Sequence, residues 1–179
     1  MANSKASTRK FSSEKRRGYY ELNNEEPSFT ASYLGMTQLD VMFKPERGHE
    51  ISARCVDKIH RVVPSKSTQQ KVTLVISPNI SRGLTVMTKG STKEARYELD
   101  HIAFCSTDVR NQLIFSFIVD CDGDLQCHVF AFKTEEMAKE ACFALSNAFS
   151  VAHGEWLRRQ KREEGKRARQ EIIVRPMHA

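Results

Sequence analysis

The stretch SFTASYLGMTQL, residues 28–39, is where regular structure begins in this sequence, and it decides the fold. Its apolar side chains Phe29, Ala31 and Tyr33 alternate with polar ones as far as Gly35. Alternation with a period of two is typical of a strand that buries one face. The sequence therefore predicts a half-buried β-strand that opens the ordered chain and ends at Gly35.

The net charge of +6 comes from the two ends of the chain. Residues 1–18 hold six Lys and Arg against one Glu, residues 157–179 hold eight against three, and residues 19–156 hold fourteen against eighteen acidic residues. Residues 1–27 show no sustained period, and we predict a disordered basic N-terminal arm there. Basic ends around an acidic centre favour solvated arms that touch an anionic surface over a basic nucleic-acid groove.

Length and cysteine use limit the class of protein. A chain of 179 residues suffices for one ordinary domain with its own core. The five cysteines lack the C-x-x-C spacing of a zinc site, and we interpret them as reduced thiols. No apolar run approaches the length of a membrane span, and the N-terminus lacks the apolar segment of a signal peptide. These features predict a soluble, cytoplasmic protein with one core.

A short amphipathic helix is predicted after the first strand. Ile51, Cys55, Ile59 and Val62 recur at spacings of four, four and three, ahead of Pro64. Six short apolar segments follow, each bounded by turn-forming or charged residues, and each predicts a strand. They are KVTLVIS (71–77), GLTVMT (83–88), ARYEL (95–99), HIAFCS (101–106), LIFSFIV (113–119) and CHVFAF (127–132).

The last element is predicted to be a long helix that begins after Thr134, a suitable N-cap followed by two glutamates. Its apolar residues recur every three or four positions and fall within one arc about 120° wide. They are Met137, Ala141, Ala144, Leu145, Ala148, Ala152 and Trp156. Phe149 projects to about 85° from the centre of that arc, so we expect it to border the buried contact. This pattern does not explain Phe143.

The order of the elements indicates an α+β fold. Seven short antiparallel strands need two packed sheets or a barrel, and one amphipathic helix can cover the open end. No internal repeat or low-complexity segment divides the chain.

Several segments resemble sequence blocks of phosphotyrosine-binding domains (PTB domains, also called PID). FTASYLGMTQLD resembles their first strand, DHIAFCSTD their fifth strand, and CHVFAF with the helix that contains NAFSVAHGEW their final elements. Within that family, YLGMT, the inserted helix, QQKVTLVISP and the trailing basic run are similar to the Dab-like group of adaptors. The resemblance covers about residues 28–165. It implies a PH-like superfold, a seven-stranded antiparallel β-sandwich or barrel capped by a C-terminal helix, with a helix inserted after the first strand.

The resemblance implies a peptide-binding groove between the fifth strand and the last helix. In such domains an Asn-Pro-x-Tyr (NPxY) peptide adds a strand antiparallel to the fifth strand. Phe149 takes the position of the family's groove-lining aromatic, beside the Asn-Pro turn of the ligand, whereas periodicity alone favours ordinary core packing. The residues implied in peptide binding are His101, Ile102, Ala103, Phe104, Cys105, Ser106, Phe149 and Ala152.

The resemblance also bears on phosphorylation of the ligand. Family members that require phosphotyrosine place basic side chains near it, because a phosphate needs several charge-assisted hydrogen bonds. The corresponding positions here are Ser32, Val119 and Leu125, and none of them is basic. We therefore expect binding that does not require phosphorylation, although Arg110 or Lys133 could contribute a cation from elsewhere.

Phosphoinositide binding is a second property that the resemblance implies. In the family it involves basic residues around the inserted helix and the loop after it, here Lys58, Arg61, Lys66 and Lys71. The alternative for four such cations is a solvated face. A PH-type module that recruits the protein to membranes through phosphoinositides is the alternative function.

Catalysis and nucleic-acid binding are disfavoured. Cys127 and His128 are neighbours in a strand and point to opposite faces, so they cannot act on each other as nucleophile and base. The sequence shows no Gly-rich phosphate loop and no metal-ligand cluster. Glutamates interrupt the basic run RRQKREEGKRARQ, and no aromatic residue interleaves with it beyond Trp156. We expect no enzymatic activity, no cofactor, no metal and no nucleic-acid partner.

The expected function is that of a cytoplasmic adaptor. The resemblance implies binding to NPxY motifs in the tails of transmembrane receptors of the lipoprotein receptor family, at the inner face of the plasma membrane or on endocytic vesicles, in endocytosis or signalling. The expected organisation is a basic arm (1–27), a PTB domain (28–157) and a basic helical extension with a tail (158–179). No clathrin box follows the domain, so recruitment of clathrin or adaptor complexes stays open, as do the receptor and the oligomeric state.

Overall fold

A computed structural model describes residues 26–63, 65 and 68–174, with the backbone alone for residues 171–174. This part of the chain contains seven strands and two α-helices. They are β1 (Ser28–Gln38), α1 (Gly48–His60), β2 (Gln70–Ile76), β3 (Leu84–Thr88), β4 (Glu94–Tyr97), β5 (Ile102–Thr107), β6 (Ile114–Cys121), β7 (Asp124–Ala131) and α2 (Glu135–Val174). Short 3₁₀ turns lie at Pro45–Arg47 and Leu99–His101. The predicted order of elements is confirmed. Residues 1–25 of the predicted N-terminal arm lie outside the described residues.

All seven strands belong to one antiparallel sheet, in the order β4-β3-β2-β1-β7-β6-β5. The first half of β1 pairs with β2 and the second half with β7, so this strand holds the two halves of the sheet together. The sheet, the helix inserted after β1 and the C-terminal helix confirm the predicted α+β, PH-like fold class. β5 lies at one end of the sheet, next to β6.

Gly35 lies inside β1, which corrects the predicted end of that strand. The register of β1 against β7 shifts between Tyr33 and Gly35, and Gly35 has a φ of 137°. A side chain rarely tolerates this backbone conformation, whereas glycine adopts it readily and allows a bulge. The chain therefore bends at Gly35 and continues to pair with β7 as far as Gln38.

The sheet carries a hydrophobic core on each face. One core, here called the α2 core, contains Phe115, Phe117 and Phe130 under α2. The other, here called the α1 core, contains residues of α1 such as Ile51 over the opposite face of the same strands. Because both faces of β6 are covered, residues 114–119 are buried without interruption instead of alternating with exposed residues.

Thr134 caps α2 as predicted, since its Oγ1 accepts a hydrogen bond from the N–H of Met137 at 3.3 Å. The buried face of this helix consists of Ala138, Ala141, Leu145, Ala148 and Ala152. Ala138 was not part of the predicted apolar arc.

Trp156 was predicted to lie on the buried face of α2, and this prediction is wrong. Its side chain is 47% exposed and stacks on His153 with the ring centroids 5.9 Å apart. The buried face ends at Ala152, since α2 has by then passed the sheet. The predicted helical extension continues as far as Val174, and residues 155–170 are all exposed.

The contact of Gly48 with Phe104 positions α1 against β5. A Cβ at Gly48 would lie 2.5 Å from the Phe104 ring, closer than any two carbon atoms can pack. The same ring contacts His49 edge-on, with the centroids 5.2 Å apart. A glycine at the start of α1 thus allows a ring of the edge strand to pack directly against the helix backbone.

We predict that Gly48→Ala lowers the free energy of unfolding by about 1 to 3 kcal/mol, because the added methyl group displaces the Phe104 ring. Urea unfolding followed by circular dichroism measures this change. Gly165→Ala is the matched control, because no atom lies within 4 Å of its added methyl group, and it should not be destabilised. Phe104→Leu in the Gly48→Ala background should recover part of the lost unfolding free energy. If the losses caused by the two substitutions simply add, Gly48 and Phe104 do not interact as described.

Candidate peptide-binding groove

β5 and α2 lie side by side and run in opposite directions. The Cys105 Sγ lies 3.6 Å from the Ser146 Oγ and 4.0 Å from the Cys142 carbonyl oxygen. Two residues further along β5, the backbone N–H of Thr107 points to the Cys142 thiol closely enough to lower the pKa of that thiol. Rising strand numbers therefore match falling helix numbers, and the two elements form the walls of a groove.

Phe149 belongs to the wall that α2 contributes. It lies seven residues after Cys142, which places it within about 20° of the same helix face. At about 1.5 Å per helix residue and 3.3 Å per strand residue, Phe149 lies level with Ala103 and Phe104. Its ring is half-buried and packs against the α2 core, so part of it remains accessible. We use the name "the groove" for the free edge of β5 together with Cys142, Ser146 and Phe149 of α2.

The residues predicted for peptide binding do not share one environment. Ile102 and Ala152 are 5% and 4% exposed and belong to the α2 core, so they form the floor beneath the groove. Ser106 is buried, and its register opposite Ser116 places its side chain on the same face as Phe104, away from α2. Cys105 is half-buried against α2, Ala103 is exposed in β5, and His101 is exposed just before that strand. The structure thus brings most of these residues to the groove.

Phe104 lies on the other face of the sheet, which differs from its predicted place as a groove-lining side chain. Its ring packs against the α1 core, and its centroid is 6.1 Å from that of Phe43. The register of β5 against β6 shifts between Ile102 and Phe104, and this irregularity places the two side chains in opposite cores. Only the backbone of Phe104 is available at the groove.

None of the side chains at the three positions that correspond to phosphate-binding residues is itself a cation. Val119 is 1% exposed in the α2 core, and Leu125 packs against the α1 core. Ser32 is buried, and its Oγ accepts a hydrogen bond from the Lys71 Nζ at 2.6 Å. A cation therefore does approach one of these positions, from the neighbouring strand β2.

Arg110, the other candidate cation, already forms ion pairs. Its guanidinium donates to Asp108 at 3.0 Å and to Asp57 of α1 at 2.8 Å, and it also donates to the Ala53 carbonyl. Burial raises the pKa of Asp108, but the hydrogen bonds from Arg110 outweigh this effect and hold that pKa below its ordinary value. Arg110 thus ties the turn between β5 and β6 to α1.

Several cations line a pocket on the surface between β1, β2 and the start of α2. The pocket has a volume of about 670 Å³, and its walls include Lys71, Lys89, Lys133 and His60. We call it the lysine pocket. Lys71 had been selected from the sequence, whereas Lys89 was missed because it is distant in sequence from the inserted helix and its loop. His60 was missed because only Lys and Arg were considered around that helix.

The other residues predicted for phosphoinositide binding lie elsewhere. Lys58 forms an ion pair with Asp40 at 2.7 Å, and this contact lowers the pKa of the Asp40 carboxyl. Arg61 is exposed directly after α1 and does not line the lysine pocket. Lys66 lies outside the described residues.

Glu98, Asp100 and His101 form a small cluster of potential metal ligands just before β5. Their ligand atoms lie within 4.8 Å of one another, and all three side chains are exposed. Exposed acidic clusters of this kind are common without a metal, so the cluster has no assigned role here.

Cys127 and His128 point to opposite faces of β7, as predicted. Cys127 is buried in the α1 core beside Cys55. His128 lies between aromatic rings on the other face, stacked on Phe117 with the centroids 5.1 Å apart. The Tyr33 hydroxyl forms a hydrogen bond with the His128 Nδ1 at 3.0 Å. The pair therefore cannot act as nucleophile and base on each other.

His128 should make the stability of the fold depend on pH. Burial lowers the pKa of His128 to about 4, and the buried Nε2 has no hydrogen-bond partner among the described residues. In the unfolded chain His128 binds a proton near pH 6.5, but in the folded chain it binds one only near pH 4. The stability that the neutral ring contributes is therefore complete above pH 6.5 and is lost as the pH falls towards 4.

We predict that the native chain loses about 1 to 3 kcal/mol of unfolding free energy through this residue between pH 6.5 and pH 4. His128→Gln keeps a polar side chain that cannot titrate, and its unfolding free energy should decline less over this interval. Urea unfolding at half-unit pH steps measures the difference. Equal slopes for the two proteins would show that His128 does not titrate in this way.

The phosphotyrosine interaction domain family (PTB/PID) matches residues 29–159. This match covers well over half of the chain, and the protein belongs to that family. This family is known as a protein-interaction module rather than an enzyme.

Individual relatives place the chain near known adapters. Human low density lipoprotein receptor adapter protein 1 is 28% identical over 149 residues, which cover 80% of this chain and 46% of that protein. Mouse PTB domain-containing engulfment adapter protein 1 is 27% identical over 133 residues, covering 72% of this chain and 42% of that protein. The chain therefore spans less than half the length of these relatives. The resemblance to PTB domains of receptor adaptors is confirmed.

A solved structure supports the fold alone. The C-terminal phosphotyrosine interaction domain of mouse APBB2 aligns with a TM-score of 0.55 at 20% identity, over 69% of this chain and 85% of that one. Within the described residues, neither helix combines the length and the apolar character that crossing a membrane requires.

Proposed function

We propose that this protein is an adaptor that binds NPxY-type motifs in the cytoplasmic tails of transmembrane receptors. The observation that carries the proposal is the groove, where the end strand β5 lies beside α2 and Phe149 stands half-buried at its wall. Membership of the PTB/PID family supports the same reading.

Binding would proceed by strand addition. β5 pairs with β6 on one side, which leaves the backbone groups of its other side to form a ladder with an extended ligand. The apolar residue upstream of the motif and the Asn-Pro turn would pack against Phe149 and the neighbouring helix face. Main-chain hydrogen bonds supply affinity in this arrangement, and side-chain pockets supply the choice of sequence.

Phosphorylation of the tyrosine is not required in this proposal. Val119 and Leu125 offer no charge, and Arg110 is held by two aspartates. Lys71 does approach the third position, but it donates a hydrogen bond to the Ser32 Oγ, and a phosphate needs several charge-assisted hydrogen bonds to compensate for its loss of hydration.

The proposed cargo is a receptor of the lipoprotein receptor family, and the proposed process is endocytosis or signalling. One relative is named a low density lipoprotein receptor adapter, although the match covers only 46% of its length. In this proposal residues 28–157 form the binding domain, residues 158–179 a basic helical extension with a tail, and residues 1–27 a basic arm. The protein would act in the cytoplasm, at the inner face of the plasma membrane or on endocytic vesicles.

Titration of an unphosphorylated FxNPxY peptide, followed by calorimetry, tests the proposal. The native chain should bind with micromolar affinity, and Phe149→Ala should weaken binding at least tenfold, since truncating a central hot-spot aromatic typically costs about 2 kcal/mol or more and about 1.4 kcal/mol is already tenfold. Phe143→Ala is the matched control, because it removes the same ring from another face of the same helix, where Phe143 is 46% exposed. It should bind as the native chain does.

Two further peptides test the geometry. A peptide with phosphotyrosine should bind within about threefold of the unphosphorylated one. Peptides with single N-methyl groups upstream of the motif should lose affinity at alternate positions, because ladder hydrogen bonds alternate along an antiparallel strand. No binding by the native chain, or equal binding by Phe149→Ala, would overturn the groove assignment.

Phosphoinositide binding is the second candidate function, and the lysine pocket is the observation that favours it. Lys71, Lys89 and Lys133 come from three separate parts of the chain and line one concave surface. Cations gathered around a pocket suit a phosphorylated head group better than cations spread over a flat face do. The pocket is lined by other side chains than those of the groove, so membrane recruitment and peptide binding would use different residues.

We predict that the native chain sediments with vesicles containing phosphatidylinositol 4,5-bisphosphate, and that Lys71→Glu with Lys89→Glu reduces binding at least tenfold. Lys93→Glu with Lys139→Glu is the control, because it makes the same change of charge at two exposed positions outside the pocket. Equal loss in the control would indicate a general charge effect and reject the pocket.

A further inference from the structure

Two cysteines face each other across the groove. The Cys105 Sγ on β5 approaches the Cys142 carbonyl oxygen on α2 to 4.0 Å and the Ser146 Oγ to 3.6 Å. The two thiols also shift each other's pKa. Two cysteines from different elements are thus neighbours in the groove proposed above to bind the peptide.

This pair differs from the second cysteine pair of the protein in its accessibility. Cys55 and Cys127 are 4% and 0% exposed inside the α1 core, beyond the reach of a reagent in solution. Cys105 and Cys142 are both partly exposed. A small oxidant can therefore reach the groove pair while the α1-core pair stays protected.

The surroundings of the two thiols also differ, and this difference decides which of them reacts first. Hydrogen bonds from Cys105 and from the Thr107 N–H lower the pKa of Cys142, whereas the bond to Cys142 and burial raise the pKa of Cys105. The thiolate is the attacking form of a cysteine, so Cys142 is the thiol that reacts first.

We propose that Cys105 and Cys142 are a redox modification site, at which a small disulfide such as oxidised glutathione converts the two thiols into a disulfide that joins β5 to α2. The Cys142 thiolate attacks one sulfur of the oxidant, forms a mixed disulfide and releases one glutathione thiolate, which takes up a proton. The Cys105 thiol then loses its proton and attacks the Cys142 sulfur, releasing the second glutathione. The two protein thiols are oxidised by two electrons, and the oxidant is reduced to two thiols.

The disulfide changes the groove itself. A covalent bond of about 2.05 Å between the two sulfurs is shorter than any non-bonded contact, so it draws α2 towards β5 at the level of Cys105. A peptide that adds to β5 needs the space between these two elements. Oxidation should therefore weaken peptide binding, and reduction should restore it. This consequence rests on the proposed function, whereas formation of the disulfide does not.

Oxidation of the full chain in the Cys121→Ser background tests the site, since that substitution removes a partly exposed thiol outside the groove. The folded protein is treated with oxidised glutathione, blocked with an alkylating reagent, digested without reductant and analysed by mass spectrometry. We expect a peptide pair joined through Cys105 and Cys142, with Cys55 and Cys127 unlinked. In Cys105→Ser, with Cys121→Ser retained, glutathione should remain attached to Cys142. Circular dichroism before and after treatment verifies the fold.

Peptide titration of the same samples tests the consequence. Oxidation should lower the affinity for the FxNPxY peptide about tenfold, dithiothreitol should restore it, and Cys142→Ser in the same background should show neither change. If Cys142→Ser fails to fold, Cys142→Ala replaces it. The proposed modification site is wrong if glutathione stays attached to Cys142 in a chain that retains Cys105. It is also wrong if the thiols of Cys105 and Cys142 stay free. If the reduced chain does not bind the peptide, the proposed function is wrong. The mapped disulfide is unaffected by that outcome, because its formation does not depend on peptide binding.

Discussion

The alanine face of α2 against the sheet is the contact on which the rest of the structure depends. Ala138, Ala141, Ala148 and Ala152 are between 0% and 4% exposed, and Leu145 is the one large side chain among them. Small side chains let a helix approach a sheet closely, because little more than the helix backbone separates the two. This close approach brings α2 alongside β5 and creates the groove, with Phe149 at the rim of the alanine face rather than beneath it.

β5 is an edge strand, and its position is fixed by packing on both faces of the sheet. The α1 core holds Phe104 from one face, and the α2 core holds Ile102 from the other. Gly48 makes the first contact possible because it leaves room for the ring. An edge strand that is anchored from both faces can offer its free backbone groups to a ligand without moving. That is the pre-organisation that recognition by strand addition needs.

The fold also decides which charges are available. Lys58 and Arg110 carry the same charge as Lys71 and Lys133, but the first two are paired with aspartates while the other two line a pocket. Exposed ion pairs of this kind add little stability, so their main effect here is to remove those cations from competition for a ligand. The sequence alone could not separate these cases, because an aspartate such as Asp40 becomes a partner only once α1 has packed on β1.

Local periodicity, caps and family-like segments were enough to predict the order of the elements, the buried face of α2 up to Ala152 and the orientation of Cys127 against His128. Each of these follows from interactions between residues that are close in the chain. Tertiary structure alone decided the continuation of β1 beyond Gly35, the place of Phe104, the exposure of Trp156, the lysine pocket and the contact of Cys105 with Cys142. Those features depend on where a strand finds its partner and where a helix runs past the sheet. Both are set by packing between distant segments, which no local pattern records.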